Sequence, residues 1–268
     1  MQPGRNSTAR TYLDVTKTEI TMLGEILLDV LKSLRHKRQS HSDAPVVVNV
    51  GTQAARNTSV GGWSHSDAPV VLNVGGGSKR IPIPTHYDGW QQLLLDVDAR
   101  VAPDIVCDAR TLVSRPPAEF DAVYCSHNLE HYYAHEGLTV LRGFRHVLKE
   151  NGFVEIRVPD LDCVMRYAVT RNLSLDDVLY QSPAGPISVI DVIYGFRQEI
   201  EQSGLDFFAH KTGFSPTSLR TTLERAGFES VFVFPRSDAF EVRAVAFKSA
   251  PTNDQRRLLG VDDSADVG

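Results

Sequence analysis

The chain is poor in cysteine. Cys107, Cys125 and Cys163 are an odd number with no C-x-x-C pair, which argues against a disulfide framework and suits reduced thiols in a cytoplasm. Long apolar runs are also missing. The most apolar N-terminal stretch, ITMLGEILLDVL, is broken by Glu25 and Asp29 and falls short of the ~20 residues that cross a bilayer, so no membrane span is expected. The opening MQPGRNSTAR is polar where a signal peptide needs an apolar core, so no export signal is expected and the sequons at Asn6, Asn57 and Asn172 lack a secretory context. Nor is there an excess of positive charge. Against 33 Asp and Glu stand 28 Lys and Arg, a net charge of -5 whose field gives no help to a polyanion, so no nucleic-acid partner is expected.

What is present is ordinary globular material. At 268 residues a single core can bury enough surface to fold without staples. Residues 16–36 have apolar side chains at helical spacing (Ile20, Leu23, Leu27, Val30, Leu31, Leu34), a face that wants the core or a second copy of the chain, so a homodimer through this helix is one expectation. The basic cluster Lys32, Arg35, Lys37 and Arg38 at its end reads as a solvated helix terminus. HSDAPVVVNVG at 41–51 returns as HSDAPVVLNVG at 65–75, but only the second copy leads into a glycine loop. Residues 1–64 are therefore an N-terminal extension, 65–250 the main domain, and the polar tail 251–268 is expected to be loose.

From residue 69 strands and helices alternate, the pattern of an α/β parallel sheet covered by helices. PVVLNV (69–74), QLLLDVD (92–98), DIVCD (104–108), FDAVYC (120–125) and FVEIRVP (153–159) read as strands buried on both faces. Leu138, Leu141, Phe144 and Val147 mark a helix that Asn151 and Gly152 can end; Ser215 and Pro216 open another that Gly227 stops. SVFVFP (230–235) and EVRAVAFK (241–248) suit an antiparallel hairpin. Residues 160–213 are the least regular and rich in aromatics, an insertion of the kind that covers a site.

The chemistry begins at LNVGGGSK, 72–79. Glycines at a strand's C-terminal end let the backbone approach a ligand and take positive φ, at the edge where parallel sheets bind cofactors. Asp96, about twenty residues on, can accept from two ribose hydroxyls, with Asp98 as competitor for that role; Asp108 can meet an adenine amino group. Each Asp alone is equally a turn or cap residue. The triplet lacks the third glycine of a G-x-G-x-x-G fingerprint, so a nicotinamide oxidoreductase falls behind. HNLEH at 127–131 matches the H-x-x-E-H string of zinc peptidases, which requires His127 and His131 on one helical face; it leaves the upstream carboxylates and glycines unexplained, and no metal is expected.

With CSHNLEHYYAHE at 125–136, FRHVLKENGFVEIRVPDL, SPAGPI at 182–187 and HKTGF at 210–214, residues 65–249 resemble the class I S-adenosylmethionine-dependent methyltransferases, most closely a bacterial group carrying those segments. The resemblance implies a Rossmann-like three-layer sandwich with a seven-stranded, mostly parallel sheet whose last strand is antiparallel. It implies S-adenosylmethionine as cofactor, on Asn73, Gly75, Gly76, Gly77, Asp96, Asp98, Asp108, Ala109, Cys125 and Ser126. Asn73 stands where many relatives carry an acidic residue, removing a charge that would favour the cofactor's ammonium. Cys125 has no adjacent base and reads as a small buried hydrophobe rather than a nucleophile.

The acceptor implied is a small molecule or glycan. His127, His131 and His210 are candidate bases, because an acceptor hydroxyl must lose a proton; Glu130, Tyr194 and Arg197 are candidate acceptor contacts. His210 is equally a capped turn and Arg197 a surface residue. From another functional class, a cofactor-binding scaffold without catalysis is the competing expectation.

Overall fold

A computed structural model describes residues 68–182 and 185–261. The helix expected at 16–36, the first repeat copy and residues 262–268 lie outside these. A seven-stranded sheet runs in the order β3-β2-β1-β4-β5-β9-β8, formed by β1 (Val70–Val74), β2 (Gln91–Asp96), β3 (Ile105–Val106), β4 (Phe120–Ser126), β5 (Leu148–Pro159), β8 (Ser230–Arg236) and β9 (Glu241–Phe247). β1 pairs in parallel with β2 and β4, and β4 with β5. β9 is antiparallel to both β5 and β8. The number of strands and the antiparallel direction of the last, β9, are those the resemblance implies, and the C-terminal hairpin forms as expected.

Both faces of β1 and β4 are covered, which is why their sequences are continuous apolar runs. One face (Leu72, Val123, Cys125, Val154, Ile156) packs under α1 (Ala134–Val147) and α5 (Pro216–Arg225). α5 starts on the Ser215 cap, with Leu219 and Leu223 fully buried. The other face (Val71, Tyr124, Phe153, Phe247) is closed by Tyr87, Trp90, Leu259 and Val261. On this side the crossovers from β1 to β2 and β2 to β3 carry only 3-10 turns, Thr85–Tyr87 and Ala99–Val101. Pro82 and Pro84 deny the first of them a helix.

Three expectations are corrected. The strand at 104–108 shrinks to Ile105–Val106, because Asp104 turns aside to accept from Leu94 N (2.7 Å) and Asp108 caps a 3-10 turn at Ala109–Ser114. The helix ends at Val147, leaving Asn151 and Gly152 inside β5 rather than at a helix stop. The tail past Pro251 is ordered through residue 261. A Thr252/Gln255 capping box starts α6 (Asn253–Leu259), and its end buries Leu259 and Val261 against the sheet. The stretch reads as polar because only these residues face inward. Within 160–213, Asp160 caps α2 (Leu161–Arg171), followed by the hairpin β6 (Val178–Ser182) and β7 (Gly185–Ser188), α3 (Val189–Tyr194) and α4 (Arg197–Ser203).

Glu155, in the middle of β5, is fully buried on the second face. It accepts from Arg243 Nε (2.8 Å), Arg157 Nη2 (3.1 Å) and Tyr87 Oη (3.3 Å) and pairs with His86 Nε2 (2.8 Å). Arg243 also reaches the Leu259 carbonyl, fastening α6. Burial alone would raise the Glu155 carboxyl; its partners outweigh it and bring it down to about 2 from an ordinary 4.5. The folded value lies below the unfolded one, so the stabilisation is complete above about pH 4.5 and is lost as the pH falls toward about 2. Glu155→Gln leaves buried guanidinium groups uncompensated and should cost about 3 kcal/mol at pH 7. Melting curves at pH 7 and pH 4 should show a lower midpoint that responds less to acid; a variant melting with the wild type at both values contradicts this role.

Candidate functional site

Because β2, β1 and β4 are parallel neighbours, their chains all leave the sheet at one edge. β1 exits into the glycine turn, with Gly75 at φ +69° and Gly77 at φ +62°. A Cβ on Gly75 would collide with the Asn128 side chain and one on Gly76 with Asn73, so the turn needs glycine for room as well as for φ. Gly75 N donates to Leu95 O (2.9 Å) and Gly77 N to Asp96 Oδ2 (3.3 Å), tying the turn to β2. Asp96 Oδ1 also accepts from Asp98 N (2.9 Å), while burial raises the carboxyl above its ordinary range. Asp98 caps the next 3-10 turn and holds Arg100. Asp108 is gripped at both oxygens by Arg110, which also reaches Glu136. Burial works to raise the Asp108 carboxyl, and these bonds prevail and lower it.

β4 exits at Ser126 into His127, whose φ of +48° turns the chain sharply. The helix that the peptidase string would require through HNLEH does not form. Leu129–His131 is a 3-10 turn and α1 begins at Ala134, so His127 and His131 do not share a helical face as the peptidase string requires. His127 lies between carboxylates instead, Nε2 3.1 Å from Glu241 Oε2 and Nδ1 3.5 Å from Glu130 Oε1. Burial disfavours its charge, but the two carboxylates dominate and push it up to about 10. An imidazole held protonated between two carboxylates has no lone pair for an acceptor's proton, an environment that suits holding the corner together rather than the base role expected of His127. Glu130, 2% exposed, is driven the other way, burial being overcome by His127 and the neighbouring histidines to about 2. His131 and His210 approach edge to face, 5.0 Å between ring centres, across the same corner.

These groups open on one cavity of about 670 Å³. Asn73, Gly75, Gly76, Gly77, Asp96, Asp98, Asp108, Ser126, His127, Glu130, His131 and His210 all line it, as do Tyr180, Ile187, Val192, Phe196, Phe207 and Phe208 from residues 160–213. Four expected residues are not on its wall. Ala109 and Cys125 are core side chains on the α1 face, Tyr194 is 60% exposed, and Arg197 pairs with Asp191 and Asp176. Asn128, Tyr124, Arg110, Lys211 and Glu241 escaped the sequence reading. Glu241 was within its reach: β9 is antiparallel, so its first residue pairs with Pro159 at the carboxyl end of β5, beside the site.

No protein-family model matches the chain, and no curated protein does. Among solved structures it is similar to PigF with S-adenosylhomocysteine (15% identity, 70% of this chain and 52% of that one, TM-score 0.43). It is also similar to the Burkholderia thailandensis 1,6-didemethyltoxoflavin-N1-methyltransferase with its substrate and S-adenosylhomocysteine bound (19%, 68% and 72%, 0.40). A third is a SAM-dependent methyltransferase from Thermotoga maritima (12%, 85% and 92%, 0.43). The match spans about half the length of PigF. The second and third are methyltransferases by name, and the first two hold S-adenosylhomocysteine; the fold rests on the strand order itself.

The placement of Cys125 is directly testable. It is fully buried, and burial pushes its thiol well above the ordinary value. A disulfide exchange reagent at pH 8 should leave Cys125 unmodified in the folded protein and label it in denaturant. Labelling of Cys125 at the native protein's rate for Cys107 would contradict the burial.

Proposed function

We propose that this chain binds S-adenosylmethionine across the carboxyl ends of β1, β2 and β4 and transfers its methyl group to a small-molecule or glycan-type acceptor. One observation carries this reading: a single cavity joins the glycine turn, Asp96, Asp108 and the Glu130 corner. The residues fit the cofactor's parts. Asp96, oriented by the N–H groups of Gly77 and Asp98, is placed to accept from ribose hydroxyls. Asn128 Oδ1 is buried without a hydrogen-bond partner beside Gly75 and, with Asn73, offers neutral oxygen acceptors to the ammonium where many relatives use a carboxylate. Asp108, shared with Arg110, is assigned to the adenine edge and Asp98 to the second ribose contact.

When bound, the cofactor supplies an activated methyl whose bond to sulfur breaks as the bond to the acceptor forms. The chain's task is alignment and exclusion of water. Residues 160–213 are suited to both, since Tyr180, Ile187, Val192, Phe196, Phe207 and Phe208 give the same cavity an apolar lining for the acceptor. His127, fixed between Glu130 and Glu241, positions rather than deprotonates; His131 and His210 face the acceptor.

Calorimetric titration of the full chain with S-adenosylhomocysteine should show one site. Asp96→Asn keeps the shape but weakens the hydrogen bonds to ribose, and should reduce affinity about 10- to 100-fold, the equivalent of ~1.5–3 kcal/mol. No binding by the wild type, or equal binding by the variant, contradicts the proposal.

A further inference from the structure

The corner beyond the glycine turn holds a group that the cofactor reading leaves unexplained. Glu130 is 2% exposed, yet neither Oε1 nor Oε2 has a hydrogen-bond partner, its contact with His127 Nδ1 being an ion pair at 3.5 Å. Its backbone is pinned, since Lys211 N and Thr212 N both donate to its carbonyl (2.8 and 3.1 Å). Two imidazoles stand beside it. His131 Nδ1 lies 3.1 Å from Ala209 O and His210 Nδ1 2.8 Å from Val192 O. A carbonyl only accepts, so both Nδ1 atoms carry a proton, and in the neutral ring each Nε2 is then the atom with the lone pair. His210 Nε2 is 4.0 Å from Glu130 Oε1, and one ligating atom from each of the three residues falls within 4.8 Å of the others.

An Nδ1–H fixed on a main-chain carbonyl, with Nε2 free, is how metal-binding histidines are oriented. Zinc–nitrogen bonds of about 2.0–2.1 Å in tetrahedral geometry require ligand atoms about 3.3 Å apart, so closing on an ion asks each side chain to shift by about 1 Å. The charged groups facing the cluster are His127 and, behind it, Glu241 and Arg157. We propose that Glu130, His131 and His210 form a binding site for a divalent first-row transition ion, a two-histidine, one-carboxylate set with open positions toward the cavity. Imidazole donors select zinc, iron, cobalt or nickel over magnesium or calcium. This differs from the peptidase string, since the ligands come from the turn after β4 and from the segment after α4, with His127 outside the set. The ion's use, which rests on the methyltransferase proposal, is to hold an acceptor oxygen at the open positions and favour its deprotonated form.

The test uses the full chain, freed of metal by chelator, titrated with Co²⁺ by visible absorption and with Zn²⁺ by calorimetry. One equivalent at micromolar affinity or tighter, with cobalt bands of nitrogen ligation, is the expected result. His131→Ala and His210→Ala should each weaken binding at least about tenfold, the scale at which even outer-shell changes act, while His135→Ala, on the exposed side of α1, should not. Melting curves of the two variants establish that they are folded. Glu130→Gln provides a third ligand change with both imidazoles in place and should weaken binding likewise. No saturable uptake by the wild type, or uptake unchanged in the folded histidine variants, overturns the site. S-adenosylhomocysteine titrated into the same metal-free sample separates the two proposals: its binding without ion uptake removes only the metal site, and ion uptake without its binding removes only the cofactor reading.

Discussion

The site depends on one constraint, the parallel run of β2, β1 and β4, which makes three chains leave the sheet side by side at a single edge. Backbone groups there have lost their strand partners and must be satisfied locally. Gly75 donates to Leu95, Asp96 accepts from Gly77 and Asp98, and His127 N donates to Arg157 O (2.9 Å). The bonds that end the strands thus also set the positions of the polar groups around the cavity. A side chain at Gly75 or Gly76 would break this by pushing Asn128 or Asn73 out of place.

A second theme is buried charge. Glu155 and Glu241 sit on the same face of the sheet and share Arg157, while Glu130 and Glu241 share His127. Such carboxylates are costly to bury; Glu155 draws Arg243 and His86 and Glu241 draws Arg157 and His127 from other elements, while Glu130 faces His127 three residues before it. The antiparallel β9 is what brings Glu241 to this edge. The segment 160–213 that lines part of the cavity is attached to the same corner, by Lys211 and Thr212 on the Glu130 carbonyl and by the two histidines on Ala209 and Val192. The cavity wall from this segment and the charged corner are therefore joined by direct hydrogen bonds.

Much of the fold was legible because its signals are local. Continuous apolar runs marked the inner strands, the Ser215–Pro216 start marked α5, and Gly75–Gly77 marked the turn at the cavity. The strand ends were less legible. Asp104 and Asp108 look like strand residues until they are seen bonding Leu94 and Arg110. The order of the tail rests on two inward residues, Leu259 and Val261, too few to give a period. Cys125 belongs to the correct strand but points to the opposite face from Tyr124 and Ser126, a matter of register that sequence alone leaves open by one residue. The Glu130 corner depends on contacts across 80 residues of chain, between HNLEH and HKTGF; the sequence offers both motifs but not their meeting.

The central claim is that one nucleoside bridges the glycine turn and Asp96 with its sulfur directed to the Glu130 corner. A crystal structure of the full chain grown with S-adenosylhomocysteine tests it most directly. The account predicts ribose hydroxyls on Asp96, the amino group near Asn128 and Asn73, and the sulfur facing His131 and His210. Density for the ligand in another cavity, or with its ribose away from Asp96, would contradict it.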